Sequence, residues 1–205
     1  MKIRLVICMS AAVAISGCVA MSEEECRSAD WRTVGYEDGA RGIQRISDYR
    51  QACAKAGVVP DLDAYLHGLD EGLAVYCRPA RGYRTGRSGR LYGGVCPEDL
   101  EPGFLDAYSV GRRVHAAEVE AAGWRRTVGN LDEQIAKAEE AIDELEWQLD
   151  NADLTTEQRR ATRADIYELL AETIPWLREE RREAISSLRY ALDRFEAMLD
   201  NPYER

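Results

Sequence analysis

The sequence predicts a mainly α-helical chain: a small, disulfide-stapled helical head followed by a long antiparallel helical hairpin of coiled-coil type. Three observations lead there. Apolar residues from Ala107 to Leu149 recur alternately every third and fourth position without a break, the heptad rhythm of a long helix. After a polar turn the same rhythm resumes from Tyr167 to Met198. Ahead of both lies a stretch rich in Gly, Cys and Tyr, in which Gly35-Tyr36-Glu37-Asp38-Gly39 returns in outline as Gly68-Leu69-Asp70-Glu71-Gly72.

The chain opens MKIRLVICMSAAVAISGC. Lys2 and Arg4 precede an apolar run from Leu5 to Ile15, the pattern of a secretory signal. The run is short for a membrane span, which needs about 20 residues. Ile15-Ser16-Gly17-Cys18 resembles the lipobox of bacterial lipoproteins. That resemblance implies that residues 1–17 are a cleaved signal peptide, that Cys18 carries a diacylglycerol and an acyl chain such as palmitate, and that residues 18–27 are a lipidated tether. Val19 after Cys18, rather than Asp, implies sorting to the outer membrane, facing the periplasm, with the inner membrane as the lesser alternative. Several acyl chains make a durable anchor where one is marginal.

Export decides how the remaining cysteines are read. Cys8 leaves with the signal and Cys18 is lipidated, so Cys26, Cys53, Cys77 and Cys96 form an even set in an oxidising compartment, the condition for two disulfides. A helix expected between Cys53 and Cys77 would hold their ends roughly 20 Å apart. That disfavours one pairing and leaves the other two open. No CxxC is present and His67 and His115 lie far from any cysteine, so no metal and no cofactor are expected. Without Lys2 and Arg4, 25 basic residues face 37 acidic ones, a formal charge of −12. Such a surface is a poor partner for nucleic acid or anionic headgroups, and no stretch after residue 21 is apolar enough to span a bilayer.

The head is expected over residues 28–103. Its first helix follows Ser28 and carries Trp31, Val34 and Ile43; a second starts after Ser47 and ends near Gly57. Asp61 or Asp63 caps a third, with Leu62, Tyr65, Leu66, Leu69, Leu73 and Tyr76. Glycine inside a helix costs about 1 kcal/mol relative to alanine, so the paired pentapeptides need a reason. Gly35 and Gly39 lie about 40° apart around a helix, as do Gly68 and Gly72, giving each helix a shallow groove for a neighbouring backbone. The carboxylates of Glu37, Asp38, Asp70 and Glu71 project elsewhere. Packing therefore accounts for the spacing better than a pair of catalytic carboxylates does.

Arg78, Arg81, Arg84, Arg87 and Arg90 recur every third residue, interleaved with Gly82, Gly86, Gly89, Gly93 and Gly94. So many glycines predict a long flexible basic loop over 78–96 rather than a helix. Two uses suit it: covering the acidic faces of the head, or binding an anionic envelope glycan or lipid through the planar fork of arginine, with Tyr83 and Tyr92 stacking on a sugar.

The hairpin is expected over 104–200, with its turn near 151–156. Its first seam is Ala107, Val110, Val114, Ala117, Ala121, Trp124, Val128, Leu131, Ile135, Ala138, Ile142, Leu145 and Leu149. Thr155 or Thr156 caps the return helix, whose seam is Tyr167, Leu170, Ile174, Leu177, Ala184, Leu188, Ala191, Phe195 and Met198, with Arg163 and Arg181 as polar members. Pro175 is expected to kink or restart it. Ile166, Leu169, Ile185, Leu192 and Leu199 widen the stripe, so this helix is expected to touch the head, its own copy or another envelope protein.

Trp31-x3-Gly35-x3-Gly39-x2-Gly42, Pro60-Asp61-x3-Tyr65-x2-Gly68-x3-Gly72, Tyr76-Cys77, Gly93-Gly94-Val95-Cys96 and Phe104-x3-Tyr108-x2-Gly111 together resemble a proteobacterial lipoprotein family catalogued only as a domain of unknown function. The resemblance spans roughly residues 18–120 and implies export without implying an activity. No GxSxG, HExxH or phosphate loop is present, and no nucleophile has an evident base. The function expected is that of a non-enzymatic, lipid-anchored interaction module.

Overall fold

The computed structural model describes residues 21–203. The expected signal peptide over residues 1–17, with Cys8, and the expected lipidation site Cys18 with Val19 lie outside the described residues. Among those described, regular structure is entirely helical. The chain divides into two compact units, one ending at Val75 and the other beginning at Tyr76.

The first unit holds α1 (Glu23–Ser28), α2 (Trp31–Arg41), α3 (Ile46–Ala54) and α4 (Leu62–Tyr76). Residues 22–27, read from sequence as part of the tether, fold with Ser28 as α1 and its cap because Ser22 and Glu25 close a reciprocal capping box and Cys26 is buried. Asp30 caps α2 by accepting from the Arg32 amide, and Asp61 does the same for α4 through the Ala64 amide. A Cys26–Cys53 disulfide ties α1 to α3. Trp31, Ile46, Tyr49, Tyr65, Leu69 and Leu73 fill the space between.

Helices α2 and α4 meet through their glycines, reciprocally. A Cβ on Gly35 would strike the Tyr65 carbonyl, and one on Gly39 the Leu69 carbonyl. A Cβ on Gly68 would strike the Arg32 carbonyl, and one on Gly72 that of Tyr36. Each helix thus lays its backbone in the groove of the other.

The second unit repeats this plan. The stretch expected as a flexible loop is in large part a helix, α5 (Pro79–Arg87), which packs on the start of α6 (Glu101–Asn151). The glycines that argued against a helix by propensity are what allow it. Gly82 and Gly86 sit against the Phe104 and Tyr108 carbonyls, and Gly111 against that of Tyr83. Pro79 occupies the first helical position, where its missing N–H costs nothing. A Cys77–Cys96 disulfide ties the chain just ahead of α5 to the chain just ahead of α6, closing a loop that contains α5.

The correspondence extends to single residues. Gly35-Tyr-Glu-Asp-Gly-Ala-Arg-Gly42 in α2 matches Gly82-Tyr-Arg-Thr-Gly-Arg-Ser-Gly89 in α5. Both end on a left-handed glycine, Gly42 at φ 72° and Gly89 at φ 74°. The residue after each, Ile43 or Arg90, donates its amide to the carbonyl of Asp38 or Thr85. In the opposing helices Tyr65-x2-Gly68-x3-Gly72 matches Phe104-x2-Ala107-x3-Gly111, and both aromatic rings are fully buried.

Beyond this pair, α6 runs 51 residues, about 76 Å. Arg159 closes the turn by donating to the carbonyls of Leu149 and Ala152. Thr155 caps α7 (Thr156–Glu168) in a box with Gln158. A π-helical turn, Leu169–Thr173, then leads into α8 (Ile174–Leu199). Proline at 175 has no amide to give and its ring would crowd the carbonyl four residues back; the wider π turn absorbs both. It also inserts one residue into the seam. Ile166 and Leu169 therefore pack with Ala138, Ile142 and Ile174. Tyr167 and Leu170, expected in the seam, are 68% and 53% exposed. From Ile174 onward the expected phase holds, with Leu177, Ala184 and Ala191 buried. The end of α8 returns to α5: Phe195, Met198, Leu199 and Tyr203 cover Tyr83, Ala107 and Val114.

Glycine substitutions should separate the two kinds of position. Gly35→Ala, Gly68→Ala and Gly86→Ala are each expected to cost about 1–3 kcal/mol or more in urea denaturation, since backbone must move to admit the methyl. Gly123→Ala and Gly129→Ala, with nothing within 4 Å of the new methyl, are expected to stabilise α6 by up to about 1 kcal/mol.

Candidate functional site

The four pentapeptide carboxylates do not converge. Asp38, on the buried side of α2, is 1% exposed. It accepts hydrogen bonds from the Tyr65 hydroxyl at 2.9 Å and the Tyr49 hydroxyl at 3.3 Å. The Tyr65 oxygen in turn accepts from the Arg45 amide at 3.0 Å, so the network also fixes the entry to α3. Burial, before the neighbouring carboxylate, pushes both phenols above their ordinary range. Glu71 on α4 receives the guanidinium of Arg32 on α2 through both oxygens, at 2.5 and 3.3 Å, and sits 3.6 Å from His67. The Arg32 hydrogen bond holds its carboxyl below the usual range. Glu37 pairs along its own helix with Arg41, and Asp70 is exposed. Each carboxylate has a separate structural setting.

The arginines divide similarly. The Arg81 guanidinium lies 6.0 Å above the Tyr76 ring. Arg87 pairs with Glu118 and covers the ring of Phe195 at 5.7 Å, joining α5, α6 and α8. Arg90 donates to the Ser88 hydroxyl at 3.1 Å. Arg78, just ahead of α5, and Arg84 on it are exposed, with no ion pair among the described residues. Tyr83 and Tyr92, expected to be free for stacking on a sugar, are both committed inside. Tyr83 stacks on Tyr203 with ring centroids 5.3 Å apart. Tyr92 packs on Phe104, donates to Glu101 at 2.9 Å and accepts from the Cys96 amide at 2.8 Å. His115 lies beneath Gly89. Among the described residues, no three His, Cys, Asp or Glu side chains are grouped to hold a metal ion, and no helix is long and apolar enough to cross a membrane.

Both glycine-packed helix pairs fall in one segment of sequence with a counterpart elsewhere. Residues 30–113 match the model of a family described as a protein of unknown function (DUF2799). The match begins at Asp30, the cap of α2, and ends at Arg113, two residues past Gly111. It takes in the octapeptide of each unit and leaves out the rest of the hairpin. No curated protein and no solved structure matches the chain.

Sequence reasoning missed Asp38 as a core residue and Thr85 as its counterpart, which is also buried. The signal was present in the octapeptide repeat: position four of each copy faces inward beside the two packing glycines.

Asp38→Ala leaves two buried hydroxyls without their acceptor and is expected to cost about 1–3 kcal/mol by urea denaturation. A phenol whose folded value is raised contributes stability that is complete below the ordinary value of about 10 and is lost as pH rises through the folded value. The urea midpoint should therefore fall with pH above about 10, and Tyr65→Phe should flatten that decline.

Proposed function

We propose that the chain is a non-enzymatic cell-envelope lipoprotein, anchored to the outer membrane through acylated Cys18 and facing the periplasm, that engages a protein partner through its hairpin. The N-terminal Lys2–Cys18 pattern supports the anchor. The observation that carries the interaction is the hairpin's surface. Trp147, Tyr167, Leu170, Trp176 and Tyr190 are each more than half exposed on a stiff two-helix support. Large aromatic side chains on a rigid element are typical anchors of protein interfaces. The capping, pairing and burial of the carboxylates in the first unit support a structural use for them.

A second reading has one observation in its favour. Arg78 and Arg84 stand exposed at the start of α5 and on it, with no ion pair among the described residues, which suits them to an anionic envelope glycan or lipid headgroup.

Cross-linking in intact envelopes, followed by purification, is expected to retrieve a discrete adduct that disappears in Trp147→Ala/Trp176→Ala. Intact mass should show an acylated N-terminus that Cys18→Ser abolishes. An unacylated wild type removes the anchor, and a wild type that yields no adduct removes the interaction. Salt-sensitive binding to anionic vesicles or glycan, lost in Arg78→Ala/Arg84→Ala, would instead select the second reading.

A further inference from the structure

The hairpin segregates charge on one side. In α6, the residue following each seam position past Gly129 gives Asp132, Glu139, Asp143, Glu146 and Asp150, with Ala136 the single neutral member. In α7 and α8, the residues following seam positions up to Leu188 include Arg163, Tyr167, Leu170, Arg178, Arg182 and Arg189, none of them acidic, and Glu196, after Phe195, lies beyond them. These two columns share a face. Arg178 pairs with Glu139 across the helices at 2.9 Å, Arg181 pairs with Asp132, and one groove is lined by Asp132, Ile135, Pro175, Arg178, Arg181 and Arg182. The opposite face has no such division. There α8 carries Glu180 and Glu183, and α6 carries Lys137 and Glu144.

A face that is acidic along one helix and basic along its antiparallel neighbour is complementary to itself. Rotation by a half-turn about an axis parallel to the helices places each basic column over an acidic one and leaves heights along the axis unchanged. Arg178 then comes level with Glu139 of a second copy. The π turn contributes directly, because it is what brings Tyr167 and Leu170 out of the seam and onto this face.

We propose that two copies of this chain associate through the Asp132–Asp150 and Arg163–Arg182 face of their hairpins, as a two-fold symmetric, antiparallel-neighbour four-helix bundle. The inference rests on the reading of the hairpin as an interacting element and adds a second copy of the chain as a partner on this face, which does not include Trp147 or Trp176. The interface is isologous, so every basic-to-acidic contact occurs twice. A face two helices wide, about 20 Å, and about 27 Å long buries on the order of 1,000 Å² in total, the lower bound for a specific interface. The dimer is therefore weak and salt-dependent.

Sedimentation equilibrium of the purified full chain tests it. In about 0.1 M salt the mass should approach twice that of the chain, and in about 1 M salt, where the Debye length falls from about 10 Å to about 3 Å, it should return to that of one chain. Arg163→Glu/Tyr167→Glu/Arg182→Glu and Asp143→Arg/Glu146→Arg/Asp150→Arg avoid the Arg178–Glu139 and Arg181–Asp132 pairs. Each triple variant alone should be monomeric with an unchanged helical circular dichroism spectrum. An equimolar mixture of the two should recover a dimer containing one of each. A wild type that stays monomeric at low salt, a dimer indifferent to both triple variants, or a mixture that fails to pair overturns the proposal. A monomer that still forms the envelope adduct overturns self-association alone and leaves the interaction reading in place.

Discussion

The close approach of two helix backbones across facing glycines is the constraint on which both units depend. With no Cβ at Gly35, Gly39, Gly68 and Gly72, α2 and α4 come near enough for each to abut the other's carbonyls. Side chains that would ordinarily separate two helices are moved to the flanks, where Tyr65 and Tyr49 reach Asp38 and Arg32 reaches Glu71. The buried carboxylate follows from the same approach. Asp38 lies between Glu37 and Gly39, on the turn that the glycines press inward, and only hydroxyl donors from α3 and α4 make its burial tolerable. In the second unit, threonine takes the equivalent place and satisfies its hydroxyl on the Arg81 carbonyl.

Much of the hairpin was legible because its signal is cumulative. Thirteen seam positions from Ala107 to Leu149 repeat one rhythm, so Gly111, Gly123 and Gly129 within that span could not outweigh them. The turn was legible through Thr155, whose cap is local chemistry. Pro175 announced a disturbance, but not its form. A π turn and a kink start from the same missing amide, and only the π turn shifts the seam by one residue, which is why Ile166 and Leu169 rather than Tyr167 and Leu170 face α6.

Helix α5 was not legible from propensity, because five glycines among nineteen residues between Arg78 and Cys96 weigh against any isolated helix. Tertiary contact reverses that balance: Gly82 and Gly86 are favourable only when α6 presents Phe104, Tyr108 and Gly111 to them. The comparison that would have exposed it is internal. Placed beside residues 35–42, residues 82–89 carry the same three glycines and the same tyrosine. The candidate site was legible only in part, since the arginines and glycines stood out by spacing whereas Asp38 looked like one more surface acid.

The disulfides join consecutive cysteines, Cys26 to Cys53 and then Cys77 to Cys96, and neither loop encloses the other. Each unit therefore carries its own covalent staple, so that reducing either bond opens a loop in one unit and leaves the loop of the other closed.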